Sequence, residues 1–544
     1  MTSMKKRTKW VLIPVGILAL LAIGVLIAGS IIRGKIEKEL TDTQLGNFRF
    51  TCEQVRVNLF RESIVLKGVS LKTEERSVSP DSLLNTPVQY LDAQIEKVSL
   101  RGISLKKLKN KDFDFSSLVI DTPNAVIVTH LPAKDSISVN TPEKEQSTWD
   151  GLGVGSIRIL NGSCDWRRIT ETDTLQYRLL GFDADIEELR IDSTSQSRSR
   201  FLFSKNINVN IRAFRYTFAN RAYILALDSL QWNGADKTIA IANTELMPQF
   251  SKRDFPRKSV RKSDYMQLDV KKLSVIGIDT DKLWNEGTLA ADSAHLASGN
   301  FVSFKDRNAV VPLRVKPMMH TTIQRLGIPV DVRKMKVENF NATYEEQALN
   351  RTTAGQVTFE HIDATFYGFT NIVKRENQYI ELYATARLMG QGELHAVVSM
   401  PVDSTNNHFD VKATLLSTSL PTLNRMILPL TGLEIKSGVV DRMDFHMGGS
   451  DISANVNMTL RYKDLKIELL KMRRGEWKER DGLSNLANWA LIKSENPDKK
   501  GLRNAQATVR RDPHRSVYNY IWKGISAGAV ETAETGTARR LLGR

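Results

Sequence analysis

The chain has 544 residues, 41% hydrophobic and 25% charged, which suits a folded chain of several domains and excludes a composition-driven disordered one. Its two cysteines, Cys52 and Cys164, exclude a disulfide framework and match no metal-ligand spacing; they are either one pair or two buried thiols. The net charge of +16 sits at the ends: residues 1–10 carry +4, and residues 461–544 carry 19 basic against 10 acidic side chains. A nucleic-acid binder spreads such charge over a domain face, whereas basic ends suit either anionic membrane surfaces or plain solvation.

From Trp10 to Ile32 there is no charged residue. Residues 11–32 are long enough, at roughly 33 Å as a helix, to span a bilayer core. Pro14 falls in the first turn, and Trp10 is placed for the membrane interface. A cleavable signal peptide, cut near Ala28-Gly29-Ser30, is the competing reading, but its apolar stretch would be shorter. Lys5, Lys6, Arg7 and Lys9 precede the span and Arg33, Lys35 and Lys38 follow it, a small bias toward a cytoplasmic N-terminus.

A linker helix is expected over 34–45, and period-two alternation then dominates. Val55, Val57 and Leu59 alternate with polar residues, as do Ile207, Val209 and Ile211, and again Ala454, Val456, Met458 and Leu460. Each segment predicts a strand with one apolar face. Helical patterns are confined to 421–430, 483–493 and 515–529, so antiparallel meanders are expected and a parallel α/β sheet is not. At 12–17 residues per strand and turn, ~450 residues would make roughly 26–38 strands. The apolar faces need cover, from a second sheet in a sandwich or from curling into a groove that holds something apolar.

No catalytic motif is present. The eight histidines (130, 295, 320, 361, 395, 408, 446 and 514) form no H-E-x-x-H, and no C-x-x-C or G-x-S-x-G occurs. Gly151-Leu-Gly-Val-Gly155 lacks a Gly-Lys-Ser/Thr ending and reads as a flexible turn. Asp183, Asp185, Glu187 and Glu188 read as a solvated acidic run. No catalytic, cofactor or metal residue is therefore assigned, and no enzyme activity or nucleic-acid partner is expected. Near the C-terminus Arg511, Arg515, Tyr518, Trp522 and Lys523 suit either a membrane interface or a helix capping the sheet, with Val517, Tyr520, Ile521 and Ile525 on one face.

Several segments resemble one another: 95–128, 154–166, 328–346 and 354–371. Each opens as a strand, reaches a Gly, Asn or Asp turn, and re-enters a strand. The run 415–471 adds Gly438, Gly448 and Gly449, then Tyr462, Asp464 and Leu465. In this order behind an apolar anchor, they resemble the AsmA-like superfamily, which includes TamB-type proteins. The resemblance implies a mainly β fold: a transmembrane helix, then a long twisted antiparallel sheet curled into a taco-like groove, with a few short helices near the C-terminus. It implies a basic tail at 1–10, a span at 11–32, β regions at 33–150, 151–330 and 331–480, a cap at 481–530 and a disordered tail at 531–544. It further implies an inner-membrane anchor with the bulk of the chain periplasmic. The expected partner is phospholipid, moved between inner and outer membrane in support of outer-membrane integrity. Envelope scaffolding or outer-membrane protein assembly is the alternative. The alternating apolar residues named above are then the groove positions.

Overall fold

The computed structural model describes residues 42–534, apart from 46–47, 59, 74–88, 104–111, 131–150, 170–173, 193–200, 219–221, 260–261, 311–312, 375, 404–407, 474–475 and 480–491. The expected span, Trp10, Leu59 and nearly all of the expected helix at 483–493 lie outside the described residues. No described helix is long and apolar enough to cross a membrane. Strand accounts for 67% and helix for 12% of what is described. The chain divides into two compact units: residues 1–247 with 274–288, and residues 248–273 with 289–544.

The first unit holds β1 (Asp42–Leu45), β2 (Phe48–Asn58), β3 (Ser63–Thr73), β4 (Gln89–Arg101), β5 (Asp112–His130), β6 (Gly151–Ile169), β7 (Thr174–Asp192), β8 (Asn206–Thr217), β9 (Tyr223–Asn233) and β10 (Thr238–Pro248). Helix α1 (Thr280–Glu286) belongs to it as well. Asp42–Leu45, expected at the end of a helix, is a strand paired antiparallel with β2. Neighbours then pair in chain order, antiparallel except β5 with β6, which are parallel.

The second unit holds most of β11 (Tyr265–Ile276), then β12 (Leu289–Asp306), α2 (Met319–Gln324), β13 (Val330–Gln347), β14 (Ala354–Thr370), β15 (Tyr379–Leu388), β16 (Gly392–Pro401), β17 (Phe409–Ser419), α3 (Asn424–Thr431), β18 (Leu433–Gly449), β19 (Ser453–Arg473), β20 (Glu476–Glu479), β21 (Asn504–Arg510) and α4 (Val517–Ala533). Here β12 and β13 are parallel and the following neighbours antiparallel. The purely antiparallel expectation is therefore corrected at two places. At each, a connection of some twenty residues joins the parallel pair, room enough for the crossover that parallel strands require.

The described strands are longer than expected, because Asn and Gly positions read as turns lie at register shifts inside continuous strands. Thr122 (φ 51°), Asn161 (φ 53°) and Gly181 (φ 70°) take left-handed backbone side by side on β5, β6 and β7, and the β6–β7 register shifts there at a bulge. Ser298 (φ 55°), Asn339 (φ 50°) and His361 (φ 49°) repeat this on β12, β13 and β14. In both trios an aspartate fixes the bulge. The Asn161 N–H donates to Asp183 Oδ1 at 2.8 Å, and the Asn339 N–H to Asp363 Oδ1 at 2.9 Å. A bulge adds one residue, switches which alternate residues face inward, and increases local twist. The left-handed residues thus change which side chains face inward while the strands run on unbroken.

Gly151–Gly155 is likewise no turn but the start of β6. A Cβ on Gly155 would lie 2.8 Å from the Ser116 carbonyl of β5, so the missing side chain lets the parallel strands approach. In the 438–465 module, Gly438 (φ 135°) and Asp464 (φ 56°) face each other at a bulge between β18 and β19. Tyr462 is buried beside it, its hydroxyl donating to the Lys493 carbonyl at 2.9 Å.

The last strand, β21, pairs with β19, and two side chains of α4 bond to its backbone. The Gln506 N–H donates to Glu531 Oε2 at 3.1 Å, and Lys523 Nζ donates to the Arg510 carbonyl at 3.0 Å. The helix starts at an N-cap, Ser516, and reaches Ala533 with Thr532 buried, so the expected disordered tail at 531–544 is ordered through its first four residues.

Candidate functional site

The alternation read from the sequence places one apolar face on each unit, and in each unit that face is part closed and part open. In the first unit Ile64, Leu100, Leu118, Ile157, Ile186 and Ile207 follow one another across six strands, and all are buried. Val55, Val57 and Val209 pack against this cluster. Phe201, of the 3₁₀ turn Phe201–Phe203, closes its rim, with ring centroids 5.9 Å from Trp232 and 6.2 Å from Trp284 of α1.

Across the bulge row the same face stays half-buried. One row runs Ala125, Cys164, Leu179, Phe214, Leu227, and the next Ile127, Trp166, Tyr177, Tyr216, Leu225. Ile211 lies beside the bulge row and is half-buried too. The Trp166–Tyr177 and Tyr177–Tyr216 rings stack at 4.7 Å, forming an aromatic ladder across three strands. Burial, with the neighbouring Tyr177 hydroxyl, pushes the Tyr216 phenol up to about 12, so Tyr216 stays uncharged at neutral pH.

In the second unit Ala364, Ala384, Ala396 and Ala413 are direct cross-strand partners on β14, β15, β16 and β17. They form a shallow furrow perpendicular to the strands, bordered by Phe366, Leu382, Val398 and Val411 in the adjoining row. Ala384, Ala396 and Ala413 remain half-buried. The furrow ends where α4 lies over β18, β19 and β21.

There the expected groove positions Ala454, Val456 and Met458 are fully buried and Leu460 partly so, in a closed core rather than an open floor. The helix approaches closely through Gly524 and Gly528. A Cβ at Gly524 would lie 3.0 Å from Met447 Sδ, and one at Gly528 would lie 2.9 Å from Met458 Sδ. The buried stripe of α4 is Val517, Tyr520, Gly524, Gly528 and Thr532; Ile521 and Ile525 flank it. Of the expected interface residues, Tyr518, Trp522 and Lys523 point to solvent. Arg511 donates to the Lys316 carbonyl, and Arg515 pairs with Asp512 at 3.2 Å.

Reactive groups are committed elsewhere. Cys52 and Cys164 are free thiols on β2 and β6, not a pair. Burial, and then Asp165, push Cys164 up to about 11, and burial raises Cys52. Both are therefore protonated and weakly nucleophilic at neutral pH. A concavity of about 540 Å³ lies on the polar face of β16–β19 and β21, lined by His395, Thr414, Asp444, His446, Asn457 and Gln506 among others. His395 already pairs with Glu393 at 2.8 Å, and His446 with Asp410. No group of three or more potential metal ligands occurs among the described residues. Sequence reasoning missed the alanine furrow and the aromatic ladder, whose members are adjacent only through strand register.

No protein-family model matches this chain, and no curated protein matches it.

Proposed function

We propose that this chain is a membrane-anchored, non-enzymatic lipid carrier of the AsmA-like kind, moving phospholipid between the inner and outer membranes. The observation that carries this reading is the half-buried apolar face on the sheet of each unit. Acyl chains are apolar, flexible and narrow, and they match a furrow floored by alanines and walled by Phe366, Leu382 and Val398. An anchor at 11–32 would hold the groove at the inner membrane with the bulk of the chain in the periplasm.

Alternate residues on one strand give the test. A photo-crosslinking residue replaces Ala396 on the apolar face or His395 on the polar face of β16, in the full chain expressed in a Gram-negative host. Phospholipid captured at 396 and absent at 395 supports carriage. Capture of protein alone at 396 sinks it and favours the scaffold reading.

A further inference from the structure

We infer that one end of the second unit is a docking surface for an anionic lipid bilayer, separate from the furrow. Three distant segments meet there. The Lys316 N–H donates to the Pro513 carbonyl at 2.8 Å, and Arg511 donates to the Lys316 carbonyl. The Arg511 N–H donates to the Ile452 carbonyl at 2.9 Å, and the Tyr520 hydroxyl to the Ser450 carbonyl at 3.3 Å. These bonds gather the segment after β12, the β18–β19 turn and the start of α4.

Each segment presents large apolar side chains to solvent. Leu313 is 82% exposed, Ile452 71% and Tyr518 69%, with Val310, Val315 and Trp522 exposed beside them. Single exposed apolar residues are ordinary, but six on three adjoining segments mark a contact surface. The charges among them select the partner. Arg314, Arg510 and Lys523 are exposed, with Arg515 half-buried. The nearby carboxylates Asp512 and Asp264 are paired internally with Arg515 at 3.2 Å and Lys316 at 3.3 Å; Asp451 adds one negative charge. A cationic rim around protruding aliphatic and aromatic side chains suits insertion into the headgroup layer of an anionic bilayer. An acidic protein would use the charge but leave Leu313, Ile452 and Val310 without an apolar seat. Docking of this kind needs no groove, so it stands or falls apart from lipid carriage.

The full chain, reconstituted in nanodiscs of phosphatidylcholine, is mixed with vesicles of phosphatidylcholine alone or with about one-third phosphatidylglycerol, and co-flotation is measured. Anionic vesicles are expected to capture it at about tenfold lower lipid than neutral ones, and less as salt rises. Leu313→Asp combined with Trp522→Ser should abolish capture while leaving the thermal midpoint in place, since both side chains are exposed. Arg314→Glu with Lys523→Glu should weaken it about tenfold. Arg314→Glu alone, at an exposed side chain, should weaken it in the same direction if the Lys523 change perturbs the β21 edge. Equal capture by both vesicle types, wild-type capture by these variants, or self-association through this face without lipid overturns the proposal.

Discussion

The trio β5–β7 and the trio β12–β14 are built alike and finished differently. Each begins with a parallel pair, carries three adjacent left-handed residues at a register shift, and ties its central asparagine to an aspartate on the third strand. Beyond the bulges they part. In the first, Trp166 stacks on Tyr177, which stacks on Tyr216, leaving an uncharged aromatic surface. In the second, Tyr344 takes the corresponding place on β13, but its hydroxyl donates to Glu346 at 2.7 Å, and Glu346 in turn accepts from Arg307. One bulged frame thus supports either an open apolar surface or a polar seal. The backbone frame of the sheet and the chemistry of its face are set by different residues.

That comparison extends to closed and open parts of the apolar face, and substitutions can break it. The largest effect is expected for Val456→Asp, under α4. A carboxylate with no partner at a site 1% exposed should cost about 3–5 kcal/mol or prevent folding, read by denaturant unfolding. Tyr520→Ala, on the covering helix at a side chain also 1% exposed, should cost about 3 kcal/mol and expose Val456 and Met458 to proteolysis or hydrogen exchange.

The acid response distinguishes the sealed trio. Burial favours neutral Asp306, but hydrogen bonds from Asn308 and the Arg257 guanidinium outweigh it and hold the carboxyl below its ordinary 3.8. A lowered folded value means the stabilisation is complete above the unfolded value and is lost as pH falls through the folded one. Thermal midpoints should therefore drop below about pH 4, and Asp306→Asn should flatten that drop while costing about 1–3 kcal/mol at neutral pH. An unchanged acid slope in the variant would remove Asp306 from the account.

Smaller effects separate the two bulges. Asp183→Ala and Asp363→Ala should each cost about 1 kcal/mol, with Asp183 the larger because it also pairs with Arg212 at 2.8 Å. The smallest change in stability, within about 1 kcal/mol, is expected for Ala396→Asp in the open furrow, although phospholipid capture there should disappear. Equal destabilisation by Ala396→Asp and Val456→Asp would show that the furrow is as closed as the core beneath α4.

Much of this architecture was legible in the sequence because alternation reports a strand face directly. Ile207, Val209 and Ile211 lie on the apolar face as read, and the helix expected at 421–430 is present at Asn424–Thr431. What failed did so for physical reasons. Asn161-Gly162 has the chemistry of a hairpin turn, and a left-handed asparagine serves a bulge equally well; only pairing with β5 and β7 decides between them. Parallel pairing of β5 with β6 is a non-local choice that leaves no mark on either strand alone. The burial of Ala454, Val456 and Met458 depends on α4, whose contact stripe runs through Gly524 and Gly528 and so carries little apolar signal. The alanine furrow is invisible in sequence order because Ala364, Ala384, Ala396 and Ala413 become neighbours only in register.

The edge of β21 carries one more consequence. An unpaired edge strand is a template on which a second chain can zip up. Here the Gln506 N–H and the Arg510 carbonyl already hold Glu531 and Lys523 from the molecule's own helix. A strand arriving from another copy must first evict a carboxylate and an ammonium. Two side chains therefore disfavour edge-to-edge addition of a strand at this terminus.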